Sequence, residues 1–389
     1  MRISKELLTP LVIALFITLG CYPSVETTTH MQEEIKVFVD MDAAPDDFSA
    51  LMYLRRHSSV TVIGIGISCG VSYVDHGVSN TLRVLEYLGI SDIPVAAGRY
   101  TPLVVDHAFP TPWRDTSNNS YGLDLPSTSL TASTMNASEL MISLIEGSQE
   151  NVTIVSLGPL TNVASALEAQ PSIKSKIDKV HIMGGAVGVA GNVGPESGDT
   201  IPNYVSEWNM WVDPHAADIV FQSGVPITLV SLDATNHVPV TTDFKTRLEG
   251  VMVTPEARFV YNATTVGLYF WDQLAAVTLT NPEVVTFEEH HIEIVVDLPN
   301  HEGQTNSTGA GSANALVAMN AYADAFEELF IEYINGDLPI SSRTSYPTTS
   351  TTTTPTTPSN TLVDSLLLYA AIGGVAFAII GVFVCMRRK

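Results

Sequence analysis

Cysteine is scarce in this sequence: three in 389 residues, at positions 21, 69 and 385. Two of them stand at the extremities, so no disulfide framework is available to the middle of the chain, and a hydrophobic core must hold it together. Positive charge is scarce as well. Lys and Arg number 18 against 41 Asp and Glu, a formal net charge of −23, which argues against a binder of nucleic-acid backbones. No glycine-rich phosphate loop of either nucleotide-binding type occurs, and there is no internal repeat.

Long apolar runs stand only at the two ends. Arg2 and Lys5 precede an apolar run from Leu11 to Leu19 and small residues near Gly20, the layout of a secretory signal peptide over residues 1–22. A signal anchor is the rival, and so short a run spans a bilayer poorly. Leu366 to Met386 is an uninterrupted apolar stretch of 21 residues followed by Arg387, Arg388 and Lys389. It is long enough for a transmembrane helix, and the basic tail (387–389) marks the cytoplasmic side. A glycolipid-anchor signal competes, although such tails end without a basic cluster. Residues 341–361 are a Ser/Thr/Pro tract that cannot bury a core and reads as an O-glycosylated stalk. The expectation is a single-pass type I membrane protein at the cell surface, with its folded domain, residues 33–340, extracellular or lumenal. Sequons at Asn118, Asn136, Asn151, Asn262 and Asn306 agree with a secretory glycoprotein.

Between the ends, short β-branched runs alternate with stretches of helical period. This implies one large α/β domain with a mostly parallel central sheet flanked by helices. Expected strands are residues 34–40, 60–68, 151–158, 179–185 and 226–233, with a further one in 291–298; helices follow the first two strands, the second burying Leu82, Leu85 and Leu88. In such sheets ligands bind outside the carboxyl ends of the strands. There the first strand delivers Asp40, Asp42, Asp46 and Asp47, four carboxylates within eight residues. Like charges that close repel, and a cation is the simplest compensation. Oxygen ligands favour Ca²⁺ or Mg²⁺, and the lack of His or Cys nearby argues against zinc; Asp42 and Asp47 are the pair assigned to the ion. The bland alternative is that some of these aspartates cap the following helix. Cys69 reads as a buried apolar residue. His290 and His291 read as a solvated strand end, because neighbouring strand side chains point to opposite faces.

The stretch VFVDMDAAPDDFSAL (37–51) resembles the N-terminal signature of the nucleoside hydrolase family, the inosine-uridine preferring and purine-specific nucleoside N-ribohydrolases, whose pattern is D-x-D-x-x-x-D-D. SLGPLTNVASAL (156–167), HIMGGAVGVAGNV (181–193), SEWNMWVDPHAA (206–217), SLDATNHVPV (231–240) and YFWDQLAAV (269–277) resemble further blocks of that family, in its order. The resemblance covers about residues 35–330 and implies a hydrolase of the N-glycosidic bond of ribonucleosides. It implies that Asp42, Asp47, Asp272 and the carbonyl of Leu157 hold one Ca²⁺ and that Asp42 is the catalytic base. Asp40 would support them. It places Asp46, Asn192, Glu207 and Asn209 on the ribose, and Trp271 and Trp113, as in the purine-specific branch, as two stacking surfaces for the base. Core packing is the ordinary alternative for each indole.

The substrates this implies are the purine nucleosides inosine, adenosine and guanosine; family members are often homo-oligomers. Three features depart from the family pattern. Ala43-Ala44 replaces Pro-Gly or Gly-Asn, Val71 stands where Asn or Asp is usual, and the segment between Asn192 and Glu207 is long. The first two favour the alternative of a catalytically weak surface protein that binds nucleosides or a partner, and the four retained aspartates oppose it. A phosphatase of the D-x-D type fits only Asp40-Met41-Asp42 and lacks the rest of its motif.

Overall fold

The structure, a computed structural model, describes residues 34–336. The expected signal peptide, stalk, transmembrane helix and tail lie outside the described residues. Among the described residues no helix is long and apolar enough to cross a membrane.

The described residues form ten strands, separated by helices as far as β7 and consecutive from there to β10: β1 Ile35–Met41, β2 Val60–Ile67, β3 Val95–Ala97, β4 Val152–Ser156, β5 Ile177–Met183, β6 Ile227–Val230, β7 Val285–His290, β8 Ile292–Ile294, β9 Thr305–Ser307 and β10 Ala315–Ala321. An eight-stranded sheet runs in the order β3-β2-β1-β4-β5-β6-β10-β7, parallel throughout except for β7 against β10. Both faces are covered, which is why its strands read as unbroken apolar runs. Successive residues still divide between two cores with a period of two. Val37, Val39 and Met41 pack into one core with Val155, Met183 and Val230, while Phe38 packs into the other with Ile154, Ile182 and Leu229.

The helix Pro45–Arg56 follows β1 at once. Pro45 sits in its first turn, the Asp47 carboxylate accepts the Ala44 N–H at 2.8 Å, and Arg55 and Arg56 occupy the last turn. Its buried side binds the sheet through Phe48, Leu51 and Met52. In the helix Val74–Leu88, Leu82 and Leu85 are buried and Leu88 is half-buried against the same core. One expectation was too long. The strand sought in 291–298 is confined to β8, whose partner β9 is itself three residues long and pairs with Ile292 to Ile294.

Candidate functional site

From β1 the chain builds β2 and β3 on one side and later β4 to β6 on the other. The order reverses between β1 and β4, and a crevice opens there at the carboxyl ends of the strands. Asp40 lies in β1, Asp42 just past it and Leu157 just past β4; Leu157 N–H bonds the Asp40 carbonyl at 2.8 Å. The signature aspartates therefore stand at the reversal.

Each carboxylate is positioned by a separate device. Asp42 accepts the Val71 N–H at 2.8 Å. It fits only because positions 70 and 158 are glycine: a Cβ on Gly70 would stand 2.0 Å from the Asp42 carboxylate, and one on Gly158 2.9 Å from its backbone nitrogen. Asp47, 1% exposed, accepts the N–H groups of Asp42 (3.2 Å) and Ala44 (2.8 Å), so it braces the turn as well as facing the site. Asp40, 0% exposed, accepts the Asn162 amide at 2.9 Å and leaves its other oxygen without a partner. Asp272 arrives in the first turn of the helix Trp271–Thr280 and is buried.

Carboxylate oxygens of Asp46, Asp47 and Asp272 lie within 4.8 Å of one another. Asp42 stands beside this group rather than within it. Burial raises every one of these acids: Asp40 to about 8, with the Asn162 bond opposing and the Asp42 charge adding, and Asp46 to about 6, with the Asp42 charge adding. Asp42 is raised by burial, and Asp47 and Asp272 are pushed well above the usual range by burial and then by each other's neighbours, Asp272 acting on Asp47 and Asp46 on Asp272. The Arg114 guanidinium, over the Tyr73 ring at 3.8 Å, draws Asp42 the other way. A set of buried, crowded, all-oxygen donors fits a hard divalent cation.

The residues expected on the ribose converge on the same place. Asn209 donates its amide to the carbonyls of Leu157 (2.9 Å) and Met183 (3.2 Å). Glu207 accepts the N–H groups of Gly185, Asn209 and Met210 at 3.0, 2.9 and 3.3 Å, capping the helix Trp208–Val212; burial lifts its carboxyl to about 7 against those bonds. Asn192 donates to Glu196 at 3.3 Å and keeps a buried, unpartnered Oδ1. The two tryptophans have different neighbours. Trp113 sits with Phe109 and edge-on to Trp208 (5.3 Å), whereas Trp271 packs beside Tyr269 (6.0 Å). Among the described residues no ring contact joins them.

Sequence reasoning passed over four residues here. Asn162 holds Asp40 and was visible only as part of the block 156–167. Glu196, half-buried, is lifted to about 7 by burial, opposed by its bonds from Trp208 and Asn192. Tyr121 is raised by burial and then by Asp46, Asp42 and Asp47, and bonds Ser117. It and Ser120 hold left-handed backbones, φ +52° and +50°, a strained pair beside the carboxylates. Arg114 is the fourth. No local motif marks the three besides Asn162; only the fold brings them to the aspartates.

The model of the family described as inosine-uridine preferring nucleoside hydrolase matches residues 37–328. The pyrimidine-specific ribonucleoside hydrolase RihA of Shewanella sp. (strain ANA-3) is 38% identical over 207 residues, 52% of this chain and 61% of that protein. RihA of Citrobacter koseri is 38% identical over 209 residues, covering 53% and 62%. This chain thus spans somewhat under two thirds of the length of the curated relatives it matches. Among solved structures, the purine-preferring ribonucleoside hydrolase from Gardnerella vaginalis superposes with a TM-score of 0.69 at 26% identity, over 77% of this chain and 98% of that one. The inosine-uridine preferring nucleoside hydrolase from Bacillus anthracis, at 24% identity, TM-score 0.67 and coverage of 77% and 99%, shares the fold.

Proposed function

The chain belongs to the inosine-uridine preferring nucleoside hydrolase family, and we propose that it hydrolyses the N-glycosidic bond of ribonucleosides to free base and ribose. The observation that carries this reading is the set of buried carboxylates at the strand-order reversal, with oxygens of Asp46, Asp47 and Asp272 within 4.8 Å. Asp46, Asp47 and Asp272, with Asp42 and the Leu157 carbonyl beside them, would hold a hard divalent cation, Ca²⁺ in this reading, whose charge would offset their repulsion and make a water more acidic.

The Asp42 carboxylate takes a proton from the attacking water. The water oxygen bonds the anomeric carbon as the bond to the base breaks, and the electron pair leaves with the base nitrogen, which takes up a proton. The developing positive charge on the ribose is stabilised by the surrounding carboxylates. Asp46, Asn192, Glu207 and Asn209 orient the ribose through its hydroxyls, and Asp40 buttresses the strand end.

For the base, the reading is a purine, as in inosine, adenosine and guanosine. Trp113, half-buried beside Phe109, and Trp271 in the turn that carries Asp272 each offer an indole face, and stacking of a base on one is worth about 1–3 kcal/mol. The pyrimidine-specific relatives favour the opposite preference. The chain termini support activity at the cell surface behind a membrane anchor. A nucleoside-binding surface protein without turnover is the second reading, favoured by the side chains that Val71 and the Ala43-Ala44 pair do not supply to a ligand. Incubating the purified protein with inosine, guanosine, adenosine, uridine and cytidine in competition decides among these. Faster ribose release from the purines is expected. A uridine or cytidine preference would overturn the base assignment, and no release from any of them would favour the second reading.

A further inference from the structure

Glu196 lies in the long segment between Asn192 and Glu207, and the chemistry proposed above does not use it. A single turn, Val193–Glu196, in which the Glu196 N–H bonds the Asn192 carbonyl at 2.9 Å, brings its side chain back over Asn192. One carboxylate oxygen accepts the Asn192 amide at 3.3 Å and the other accepts the Trp208 indole N–H at 2.8 Å. Trp208 is in turn fixed by Phe109, stacked at 4.7 Å, and by Trp211, edge-on at 5.4 Å. Glu196 is thereby clamped. Its charge is felt alongside Glu207 and Asp46, so it belongs to the acidic crevice.

In the structure Asn192 turns its Nδ2 donor to Glu196 Oε1, the arrangement that a carboxylate with its second oxygen on the Trp208 N–H accepts when ionised. Oδ1 is then turned the other way, and it is buried without a partner among the described residues. A buried acceptor in that state needs a donor from whatever fills the crevice. We infer that Glu196 is a positioning residue: it fixes the Asn192 amide so that Oδ1 accepts a hydrogen bond from one ribose hydroxyl. The inference rests on the hydrolase reading above and adds to it a role for the long segment. It also sets a sense of recognition, because the site offers that hydroxyl an acceptor rather than a donor.

Glu196→Gln inverts the arrangement. With the Gln oxygen on Trp208, its NH₂ faces Asn192, whose amide must rotate and present Nδ2 to the ligand. The test measures kcat/KM of the full-length protein for inosine and for its 2′-, 3′- and 5′-deoxy analogues, in wild type, E196Q, Asn192→Ala and the double variant, with melting temperatures alongside. E196Q is expected to lower kcat/KM for inosine about tenfold while leaving one of the three analogues unchanged. Asn192→Ala is expected to give the same pattern, and the double variant no further loss. Glu196→Asp, which keeps the charge and shortens the reach, is used where E196Q does not fold and is expected to spare the same analogue. A uniform loss on all four substrates, or losses that add in the double variant, would overturn the inference and leave Glu196 as a prop for Trp208. Where wild type cleaves uridine and not inosine the same series is run on uridine and its deoxy analogues; wild-type protein inert on both nucleosides would overturn the hydrolase reading itself.

Discussion

Ala43 holds φ +64° while 1% exposed, directly after the Asp42 it helps to aim. A left-handed backbone costs an L-residue about 1–2 kcal/mol. Glycine would relieve that strain, but it would give up a buried methyl worth about 0.8 kcal/mol and add about 0.5–1 kcal/mol of chain entropy to folding. The terms nearly cancel, so Ala43→Gly is expected to leave stability within about 0.5 kcal/mol of wild type. Ala50, equally buried but inside the helix Pro45–Arg56, has no strain to relieve. Ala50→Gly is expected to lose about 1.5–2 kcal/mol. Urea unfolding of both variants makes the comparison; equal losses would mean that Ala43 is not strained. The same residue shows how a departure from a family pattern is absorbed. The backbone keeps the shape that glycine would favour, and Val71, although apolar, still supplies its N–H to Asp42.

At the scale of elements, the helix that brings Asp272 is tied to the sheet by His181 of β5. Its Nε2–H donates to the Ala275 carbonyl at 2.8 Å and meets the Thr278 hydroxyl at 3.1 Å. Burial, with Lys179 adding, lowers its pKa from 6.5 to about 4. Above pH 6.5 the ring is neutral whether folded or unfolded and has no pH effect. As pH falls, the unfolded chain takes up the proton first, so stability declines until about pH 4, by about 3 kcal/mol in all. The raised acids Asp40, Glu196 and Glu207 act in the opposite sense in any variant, so the difference between wild type and His181→Gln isolates the histidine. Wild type is expected to be the more stable at pH 7 and to lose that advantage by pH 4. An advantage unchanged over that range, in denaturant titrations at each pH, would refute the assignment.

Elements differed in how far the sequence disclosed them. The strands β1, β2, β4, β5 and β6 were legible because burial on both faces makes each a continuous β-branched run. β10 was not: ALVAMNA is rich in residues that favour helices and runs straight into the helix Ala323–Ile334. β3, three residues long, is too short to show a period. The edge strand β7, VTFEEH, carries adjacent charged Glu288 and Glu289 and is at least partly exposed along most of its length, as an antiparallel edge is and a buried parallel strand is not.

At the scale of the whole molecule, the aspartates of the site were readable because four of them are adjacent in the chain. Asp272, more than two hundred residues further on, could be named only through resemblance, and Asn162, Glu196, Tyr121 and Arg114 only through the fold. What unites them is charge. The sheet collects buried acids at one reversal of strand order, and the pKa of each is raised by burial and by its acidic neighbours, a repulsion that a bound cation would offset. The most direct test follows ribose release from inosine as a function of free Ca²⁺ after chelation of the protein. Release should fall at least a hundredfold on chelation and return in full as Ca²⁺ is restored, with no return in Asp47→Asn. Release that continues undiminished in chelator would contradict the account.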